Sequence, residues 1–355
     1  MRKLSRREFA ISGVSAALAA LTATDILSVR SAAFGQGDLS FVNPELRAPL
    51  LQLLTNSSFP STLSPTTLEA NRNASESLAR PPLAAPKFEK RLVRGPAGAP
   101  DVVVYLINAE SGARKPAILH THGGGFVTGS AKSGLAELQG IASSLDCVIA
   151  TVDYRLAPET TFAGSMEDNY AGLSWLYHNG EEVGVDPKRI AVMGESAGGG
   201  HAALLALTAR DRGEIPIIFQ ALIYPMLDDR TGTSLHPKSP IGSLIWTGDK
   251  NRFGWRSFLG HEPGTRDIPS RAVPARYDRL SGLPSAFIGV GSIDLFVDED
   301  VEFARRLIDA GVPTELMVVP GAFHGFDGIA AQTSLAKDFT SAKLAALRRA
   351  FETAS

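Results

Sequence analysis

Ser196 stands between two glycines in the stretch Gly194-Glu195-Ser196-Ala197-Gly198, and this spacing could make its hydroxyl a nucleophile. An apolar strand pattern precedes the stretch and a helical pattern follows it. A serine held at such a sharp turn has a strained backbone, and side chains two residues away on either side would collide with the neighbouring strand and helix. The pattern G-x-S-x-G in this context therefore predicts a reactive serine. The alternative is an ordinary tight turn.

A serine hydroxyl needs a base to take its proton, and His324 is the candidate base. It lies in "PGAFHGF", just past the last apolar strand pattern, so its loop should end at the same carboxyl edge as Ser196. Five other histidines fit less well, because they fall in helical patterns, in an irregular insertion or within a strand. They are His120, His178, His201, His236 and His261. A purely structural role is the alternative for His324.

The histidine in turn needs a carboxylate that fixes its tautomer and stabilises its charged form. Asp294 directly follows the strand pattern "SAFIGVGSI" and so also lies at a carboxyl end. Asp298, Glu299 and Asp300 are nearby rivals. Their spacing before "VEFARRLIDAG" favours a role as acids at a helix start, where the helix dipole stabilises negative charge. Asp294 is therefore the predicted partner of His324.

A glycine loop, "HGGGF" at residues 122–126, is predicted to hold the negative oxygen that forms during acyl transfer. Glycines let backbone N–H groups approach such an oxygen closely. Gly123 and Gly124 are the expected donors, with the N–H of Ala197 as a third. The alternatives are a flexible loop or a phosphate loop. Phosphate is disfavoured because no Lys-Ser/Thr follows the glycines and no G-x-G-x-x-G is present.

Strand patterns and helical patterns alternate from about residue 88, and this alternation positions the four features above. Strands alternating with helices of 10–20 residues indicate βαβ units and a mostly parallel sheet, so the fold class is α/β. The strand patterns cover residues 88–95, 100–108, 115–125, 147–155, 189–196, 217–225, 283–294 and 313–325, of which the first two read as an edge hairpin. The helical patterns cover residues 134–145, 166–184, 200–213, 298–311 and 334–354.

Two irregular segments, 40–87 and 228–275, interrupt the alternation and are predicted to pack on one end of the sheet. The first is rich in Pro, Ser and Asn. The second carries Trp246, Phe253, Trp255 and Phe258 among loops. These aromatic side chains indicate either an apolar lid or a local core.

The N-terminal 33 residues have the features of an export signal. Four of the first seven residues are basic, an alanine-rich apolar run follows, and small residues suited to cleavage precede Gly35. The paired Arg6 and Arg7 are typical of a twin-arginine leader. We therefore expect a signal peptide at 1–33, a mature domain at 34–355, and a periplasmic or extracellular enzyme. A helical surface arm on a cytosolic protein is the alternative.

Composition narrows the classes of partner. The chain has 355 residues, 44% of them hydrophobic, which allows one large domain, and its formal net charge of −2 argues against nucleic-acid binding. No uninterrupted apolar stretch reaches about 18 residues, so a membrane span is not expected. The single cysteine, Cys147, lies in a strand pattern and should be a small buried side chain.

Taken together, "HGGGF", "DYRLAPE" (153–159), "GESAGG", "GSIDLFVDE" and "FHGF" resemble the hormone-sensitive-lipase-like branch (bacterial family IV) of α/β-hydrolase esterases over about residues 88–345. The order of serine, acid and histidine matches that fold. The resemblance implies an eight-stranded, mostly parallel sheet flanked by helices. It also implies a lid built from the N-terminal segment and an insertion after the sixth strand.

The resemblance further implies a function: hydrolysis of small-molecule esters with short to medium acyl chains, without metal or cofactor. The site residues that it implies are the nucleophile Ser196, its partners Asp294 and His324, and the oxyanion contacts Gly123, Gly124 and Ala197. Hydrolysis of an amide, lactone or carbamate on the same residues stays open, and a non-catalytic small-molecule receptor is a further alternative. A homodimer is compatible with the sequence.

Two details of the resemblance bear on the site. Asp153, Arg155 and Glu159 of "DYRLAPE" are expected to form a polar network that braces the glycine loop rather than to act in catalysis. Many relatives carry Asp before the serine, whereas this chain has Glu195. Further departures at 160–163 and 295–296 also lie near the site, so substrate preference does not transfer from the family.

Overall fold

One eight-stranded sheet carries the fold in the computed structural model, which describes residues 39–55 and 62–354. The strands are β1 (Phe88–Val93), β2 (Val102–Ile107), β3 (Lys115–Thr121), β4 (Val148–Asp153), β5 (Val185–Glu195), β6 (Phe219–Ile223), β7 (Ser285–Gly291) and β8 (Thr314–Val319). They lie in the order β1-β2-β4-β3-β5-β6-β7-β8. β1 and β2 pair antiparallel, as do β2 and β4, and all other neighbours pair parallel. The predicted eight-stranded, mostly parallel sheet with an edge hairpin is confirmed.

The helices of the described residues are α1 (Pro44–Thr55), α2 (Leu68–Ser77), α3 (Leu135–Leu145), α4 (Phe162–Asn179), α5 (Ala197–Arg212), α6 (Gly248–Leu259), α7 (Val297–Asp309), α8 (Phe326–Ile329) and α9 (Ser334–Thr353). All five predicted helical segments contain a helix. α4 begins four residues before the predicted start, because its N-cap Thr161 is extended (φ −78°, ψ 176°) and the next residue already belongs to the helix.

The central strands are buried on both faces, as expected for parallel strands covered by helices. Every residue of β6 is buried, and so are the first five of β4. α4 packs closely on one face: a methyl group at Gly172 would lie 2.7 Å from Val152 Cγ2. Phe339 of α9 packs on β7, where a methyl group at Gly289 would meet its ring at 2.5 Å. The helices therefore hold the sheet, and with it the strand ends, in one rigid arrangement.

The parallel strands β3, β5, β6, β7 and β8 place the loops that follow them at the same edge of the sheet. The glycine loop follows β3, Ser196 follows β5, Asp294 follows β7 and the loop with His324 follows β8. Residues that lie far apart in the chain are brought together in this way at the carboxyl edge.

The two irregular segments contain helices of their own. Residues 40–87 include α1 and α2, and residues 228–275 include α6. Asn43, directly before α1, donates its N–H to Gly321 O at 3.0 Å. The start of α1 therefore lies beside the loop that carries His324. α2 lies beside the glycine loop, since Arg72 Nε donates to Val127 O at 2.9 Å. Their role as a lid stays a prediction.

Three further predictions from the sequence concern Cys147, the leader and a membrane span. Cys147 is fully buried as predicted, and burial raises the pKa of its thiol to about 12. The predicted leader, residues 1–33, lies outside the described residues. Among the described residues, no helix has both the length and the apolar character that crossing a membrane requires.

Candidate active site

The turn between β5 and α5 holds Ser196 in a backbone conformation that L-residues rarely adopt, with φ 57° and ψ −123°. Both flanking glycines are needed for close contacts. A Cβ at Gly194 would lie 2.3 Å from Gly198 O, and a Cβ at Gly198 would lie 2.0 Å from Thr121 O. These distances are far below van der Waals contact, so strand, helix and glycine loop can approach only where side chains are absent. The strain predicted for Ser196 is present in the fold.

Ser196, His324 and Asp294 form one hydrogen-bonded chain. His324 Nε2 lies 2.9 Å from Ser196 Oγ, and His324 Nδ1 lies 2.8 Å from Asp294 Oδ2. All three are largely shielded from solvent, with relative exposures of 7%, 7% and 1% for the serine, histidine and aspartate. The three predicted residues, separated by up to 128 positions in the chain, are thus brought within hydrogen-bonding distance.

This geometry selects one tautomer of the histidine. Because Asp294 Oδ2 is a carboxylate acceptor, Nδ1 carries the proton and Nε2 offers a lone pair to the serine hydroxyl. Asp294 is itself fixed by its other oxygen, which accepts a hydrogen bond from Phe296 N at 3.0 Å. The arrangement can accept the serine proton and stabilise the resulting imidazolium.

The rival carboxylates are placed elsewhere. Glu299 lies in the first turn of α7, where its Oε1 accepts hydrogen bonds from Leu227 N and Asp228 N at 2.7 and 3.1 Å. Asp300 is buried in the same turn, and burial raises its pKa well above the ordinary value. Neither is hydrogen-bonded to His324 in the part of the chain that the structure describes.

The glycine loop after β3 lies directly against the serine. A Cβ at Gly123 would lie 2.9 Å from Glu195 O and 3.5 Å from Ser196 Cβ. Gly124 has φ +123°, and a Cβ there would lie 2.1 Å from Thr128 O. Within residues 39–55 and 62–354, the N–H groups of Gly123, Gly124 and Ala197 donate to no protein acceptor. These three unpaired donors adjoin the serine and can receive a negatively charged oxygen.

The loop is braced from several sides. Tyr154 Oη donates to His122 O at 2.7 Å, and the two rings stack with centroids 4.2 Å apart. Thr121 Oγ1 donates to Gly198 O at 2.7 Å, which ties the end of β3 to the start of α5. Because these contacts are made by residues within the elements themselves, the donors are held in place before any substrate arrives.

The single polar network predicted for Asp153, Arg155 and Glu159 does not form. Asp153 Oδ1 accepts from Ala131 N at 2.8 Å and does brace the segment after the glycine loop. Arg155 instead pairs with Asp168 in α4, at 2.8 Å. The three side chains have different partners because Asp153 is the last residue of β4, whereas Arg155 and Glu159 lie beyond it, where the chain leaves the sheet.

The third member, Glu159, pairs with Arg72, whose Nη1 and Nη2 each lie 2.8 Å from one of its carboxylate oxygens. Arg72 also donates to Ala157 O at 3.0 Å. This arginine therefore ties α2 to the active-site edge. The sequence gives no signal for this role of Arg72, because its partners lie 85 and 87 positions away in the chain.

Aromatic rings surround His324. The centroids of Tyr224, Phe296 and Trp246 lie 4.9, 5.2 and 6.1 Å from that of the imidazole. Tyr224 Oη also donates to Asp327 Oδ1 at 2.7 Å, which fixes the segment just after His324. Tyr224 was not predicted as a site residue, although its position near the end of the strand pattern 217–225 was a usable signal.

Of the four aromatic residues in the second irregular segment, Trp246 alone is in ring contact with His324. Trp255 and Phe258 are fully buried and pack on Phe126, with centroids 5.1 and 4.0 Å away. Phe253 packs against a small cluster that includes Val127. The local-core interpretation thus holds for these three, and Trp246 contributes to the site.

Residues 118–328 match the family described as having the α/β hydrolase fold. The chain belongs to this family. It lies in the hormone-sensitive-lipase-like branch, so the resemblance drawn from the motifs is confirmed.

Two curated relatives of this α/β hydrolase come from Mycobacterium tuberculosis. The esterase LipI is 35% identical over 260 residues, which span 72% of this chain and 80% of that protein. The carboxylesterase NlhH is 34% identical over 241 residues, which span 66% of this chain and 74% of that protein. Among solved structures, a bacterial heroin esterase aligns with a TM-score of 0.80 and 34% identity, over 88% of this chain and 99% of that chain.

Proposed function

We propose that this α/β hydrolase is a carboxylesterase that cleaves esters of short to medium acyl chains through an acyl-enzyme. The observation that carries the proposal is the hydrogen-bonded chain from Ser196 Oγ through His324 to Asp294, with distances of 2.9 and 2.8 Å. Membership of the esterase family supports the same reaction class.

In the first step, Ser196 Oγ attacks the ester carbonyl carbon while its proton passes to His324 Nε2. Asp294 stabilises the imidazolium, and the N–H groups of Gly123, Gly124 and Ala197 receive the oxyanion. Collapse of the tetrahedral intermediate breaks the bond to the alcohol oxygen, which takes the proton from His324. The acyl group stays on Ser196 as an ester.

In the second step, water attacks the acyl-enzyme and gives its proton to His324 Nε2. The same three N–H groups receive the second oxyanion. When this intermediate collapses, the proton returns to Ser196 Oγ and the carboxylic acid leaves. The enzyme is restored, and the atoms of the ester and of one water are all accounted for in the alcohol and the carboxylic acid.

The apolar surroundings of His324 favour an apolar acyl chain. Tyr224 and Phe296 are buried beside it, whereas Trp246 is only partly buried, so the ring of Trp246 offers hydrophobic contact on this side of the site. A series of p-nitrophenyl esters from acetate to decanoate should give a kcat/KM maximum at chains of a few carbons. A maximum at the longest chains would contradict this assignment.

The decisive test of the reaction is the variant Ser196→Ala. We expect its turnover of p-nitrophenyl butyrate to fall by about 10⁵- to 10⁶-fold, because the nucleophile is lost. Ser144→Ala is the matched control, since this serine is exposed and donates to Gly140 O within α3. Folded, homogeneous Ser196→Ala with near wild-type turnover would refute the assignment.

The alternatives have separate tests. A fluorophosphonate label reacts only with an activated serine, so labelling of the wild type but not of Ser196→Ala would exclude the pure receptor. Matched amide, lactone and carbamate substrates compare the other bonds that the same residues could cleave. The ester is expected to give the highest kcat/KM of the set.

The proposal also includes export of the enzyme by its N-terminal 33 residues, followed by action of the mature domain (34–355) outside the cytoplasm. The support is the leader sequence, with Arg6 and Arg7 before the apolar run. Replacing both arginines by lysine should retain the precursor in the cytoplasm. Mass spectrometry of the exported protein would locate its first residue, and export that is unaffected by the double substitution would argue against the twin-arginine route.

For the lid, the proposal is that segments 40–87 and 228–275 cover the site. Their contacts with the edge of the sheet, through Arg72 in the first and Trp246 in the second, support it.

A homodimer is the proposed assembly. β8 lies at an edge of the sheet and exposes Leu316 and Val318 (37% and 39%), and light scattering would give twice the mass of the mature chain.

A further inference from the structure

A cavity of about 280 Å³ adjoins the glycine loop on the side of Glu195. Gly123 and Gly124 form part of its wall. Since the N–H groups of these two glycines are the proposed contacts of the ester carbonyl oxygen, the cavity lies beside the place proposed for that oxygen. Ser75, Leu78 and Ala79, at and just beyond the end of α2, form its outer wall.

The lining of this cavity is rich in hydrogen-bond acceptors. It includes the carboxylates of Glu195 and Glu137 and the hydroxyls of Ser130 and Ser133. No lysine or arginine is among the residues that line it. The cavity thus differs from the aromatic surroundings of His324, and the two sides of the site suit ester arms of different chemistry.

Glu195 is held in place by a relay across three strands. Its Oε2 lies 2.8 Å from His120 Nε2, and His120 Nδ1 lies 2.8 Å from Thr151 Oγ1. The glutamate side chain keeps 21% of its surface exposed. Burial alone would raise the pKa of Glu195, but His120 and the ammonium of Lys343 hold that pKa below its ordinary value. The carboxylate is therefore ionised and pre-positioned.

The charged groups around the cavity are mostly carboxylates. Lys343 is fully buried, and its Nζ lies 3.5 Å from Glu137 Oε1. The same ammonium also interacts with the carboxylates of Glu195 and Asp327. One lysine thus faces three carboxylates, so carboxylates outnumber ammonium groups in this part of the molecule.

His122 places a neutral ring on the cavity wall. It is 5% exposed, and its Nδ1 lies 2.9 Å from Gly123 O, so Nδ1 must carry the proton. Burial lowers the pKa of His122 to about 4, which keeps the ring neutral. Nε2 is then an unprotonated nitrogen, and it has no hydrogen-bond partner among the described residues.

We propose that this cavity is a subsite for a protonated amine carried on one arm of the ester substrate. The inference rests on the proposed esterase function and names a substrate class for it. The ammonium N–H donates to the Glu195 carboxylate, and Glu137 adds attraction across the cavity. Neutral esters still bind through the carbonyl contacts and the aromatic side, so the subsite sets preference and is not required for hydrolysis.

The test compares two acetates of nearly equal shape. 2-(Dimethylamino)ethyl acetate carries a protonated amine at pH 7, and 3-methylbutyl acetate has carbon at the same position. The measured quantity is the ratio of their kcat/KM values, obtained by titrating released acid. Each ester is also measured as a competitor of p-nitrophenyl butyrate, so that weak turnover does not hide binding. Comparing one ratio across variants cancels the different reactivities of the two alcohols.

We expect Glu195→Gln to lower this ratio by about tenfold and Glu137→Gln by a smaller factor, since Lys343 already offsets part of the Glu137 charge. Glu195→Asp, which keeps the charge, should retain most of the preference. Glu302→Gln is the matched control: it removes one charge from an exposed glutamate that pairs with Arg305, and the ratio should not change.

The outcomes are distinguishable. A ratio that is the same in wild type, Glu195→Gln and Glu137→Gln overturns the amine subsite while leaving the esterase function intact. Loss of all ester turnover and of competition in the wild type overturns both proposals. If Glu195→Gln does not fold, Glu137→Gln lies on α3, away from the serine turn, and an unchanged ratio in that variant still refutes the subsite.

Discussion

Replacing Gly198 by alanine should disrupt the active site although it adds only one methyl group. The new Cβ would lie 2.0 Å from Thr121 O and 2.7 Å from His122 C. Both are backbone atoms, so no side-chain rotation relieves the overlap. An ordinary contact is about 3.5 Å, so the start of α5 and the end of β3 must separate by on the order of 1 Å.

The size of the effect follows from this displacement. Overpacking of this kind costs about 1–3 kcal/mol of stability. A misplacement of about 1 Å in a catalytic site costs roughly 100-fold in rate. Because Gly198 lies two residues from Ser196 and touches the strand that leads into the glycine loop, both the proposed nucleophile and the proposed oxyanion donors move. We expect kcat for p-nitrophenyl butyrate to fall by about 100-fold and the free energy of unfolding, measured in urea, by about 2 kcal/mol.

Gly140→Ala provides the matched control. Gly140 lies within α3, and a Cβ there would meet no heavy atom within 4 Å. Alanine is favoured over glycine in a helix by about 0.5–1 kcal/mol, so this variant should be slightly more stable and equally active. The reasoning is refuted if Gly198→Ala keeps both the wild-type kcat and the wild-type unfolding midpoint.

Two further predictions concern contacts around the site. Pairing with Arg72 lowers the pKa of Glu159 from 4.5 to about 2, so the pair stabilises the fold above about pH 4.5 and this stabilisation is lost as pH falls towards 2. The Glu159 side chain is 61% exposed, so Glu159→Gln should lower the free energy of unfolding by less than about 1 kcal/mol at pH 7. In thermal unfolding, the difference in midpoint between wild type and variant should be smaller at pH 3 than at pH 7. A difference in midpoint that grows as the pH falls would contradict this prediction. Tyr224→Phe leaves the Asp327 carboxylate without its hydroxyl donor and should lower the free energy of unfolding in urea by about 2 kcal/mol. An unchanged urea midpoint would argue against that contact.

Local patterns were sufficient wherever the cause of the structure is local. The apolar run at 147–155 reads as a strand because Val and Ile favour strands, and β4 spans Val148–Asp153. Gly213, the last residue of the helical pattern 200–213, is the C-cap of α5 with φ 69°. The turn at Ser196 could be predicted because both flanking glycines, Gly194 and Gly198, avoid the same kind of steric overlap with neighbouring backbone.

Long-range polar partners were not readable in the same way. Arg155 pairs with Asp168, and Glu159 with Arg72 across 87 positions, so the expected common network does not form. An ion pair depends on where two charged groups meet in space. The local sequence around Arg155 or Glu159 does not indicate which charged residue that will be. The same reason explains why the relay from Thr151 through His120 to Glu195 was not predicted.

By itself, the sequence determined the fold class, the order of the eight strands and five of the helices, and the candidates Ser196, Asp294 and His324, because these follow from periodicity, turn chemistry and strand ends. Tertiary structure alone decided which aromatic side chains reach His324, which carboxylates pair with which bases, and that an acidic cavity adjoins the glycine loop. Hydrophobic periodicity is a property of neighbouring residues, whereas hydrogen bonds, ion pairs and cavities depend on distances between atoms that only the packed chain sets.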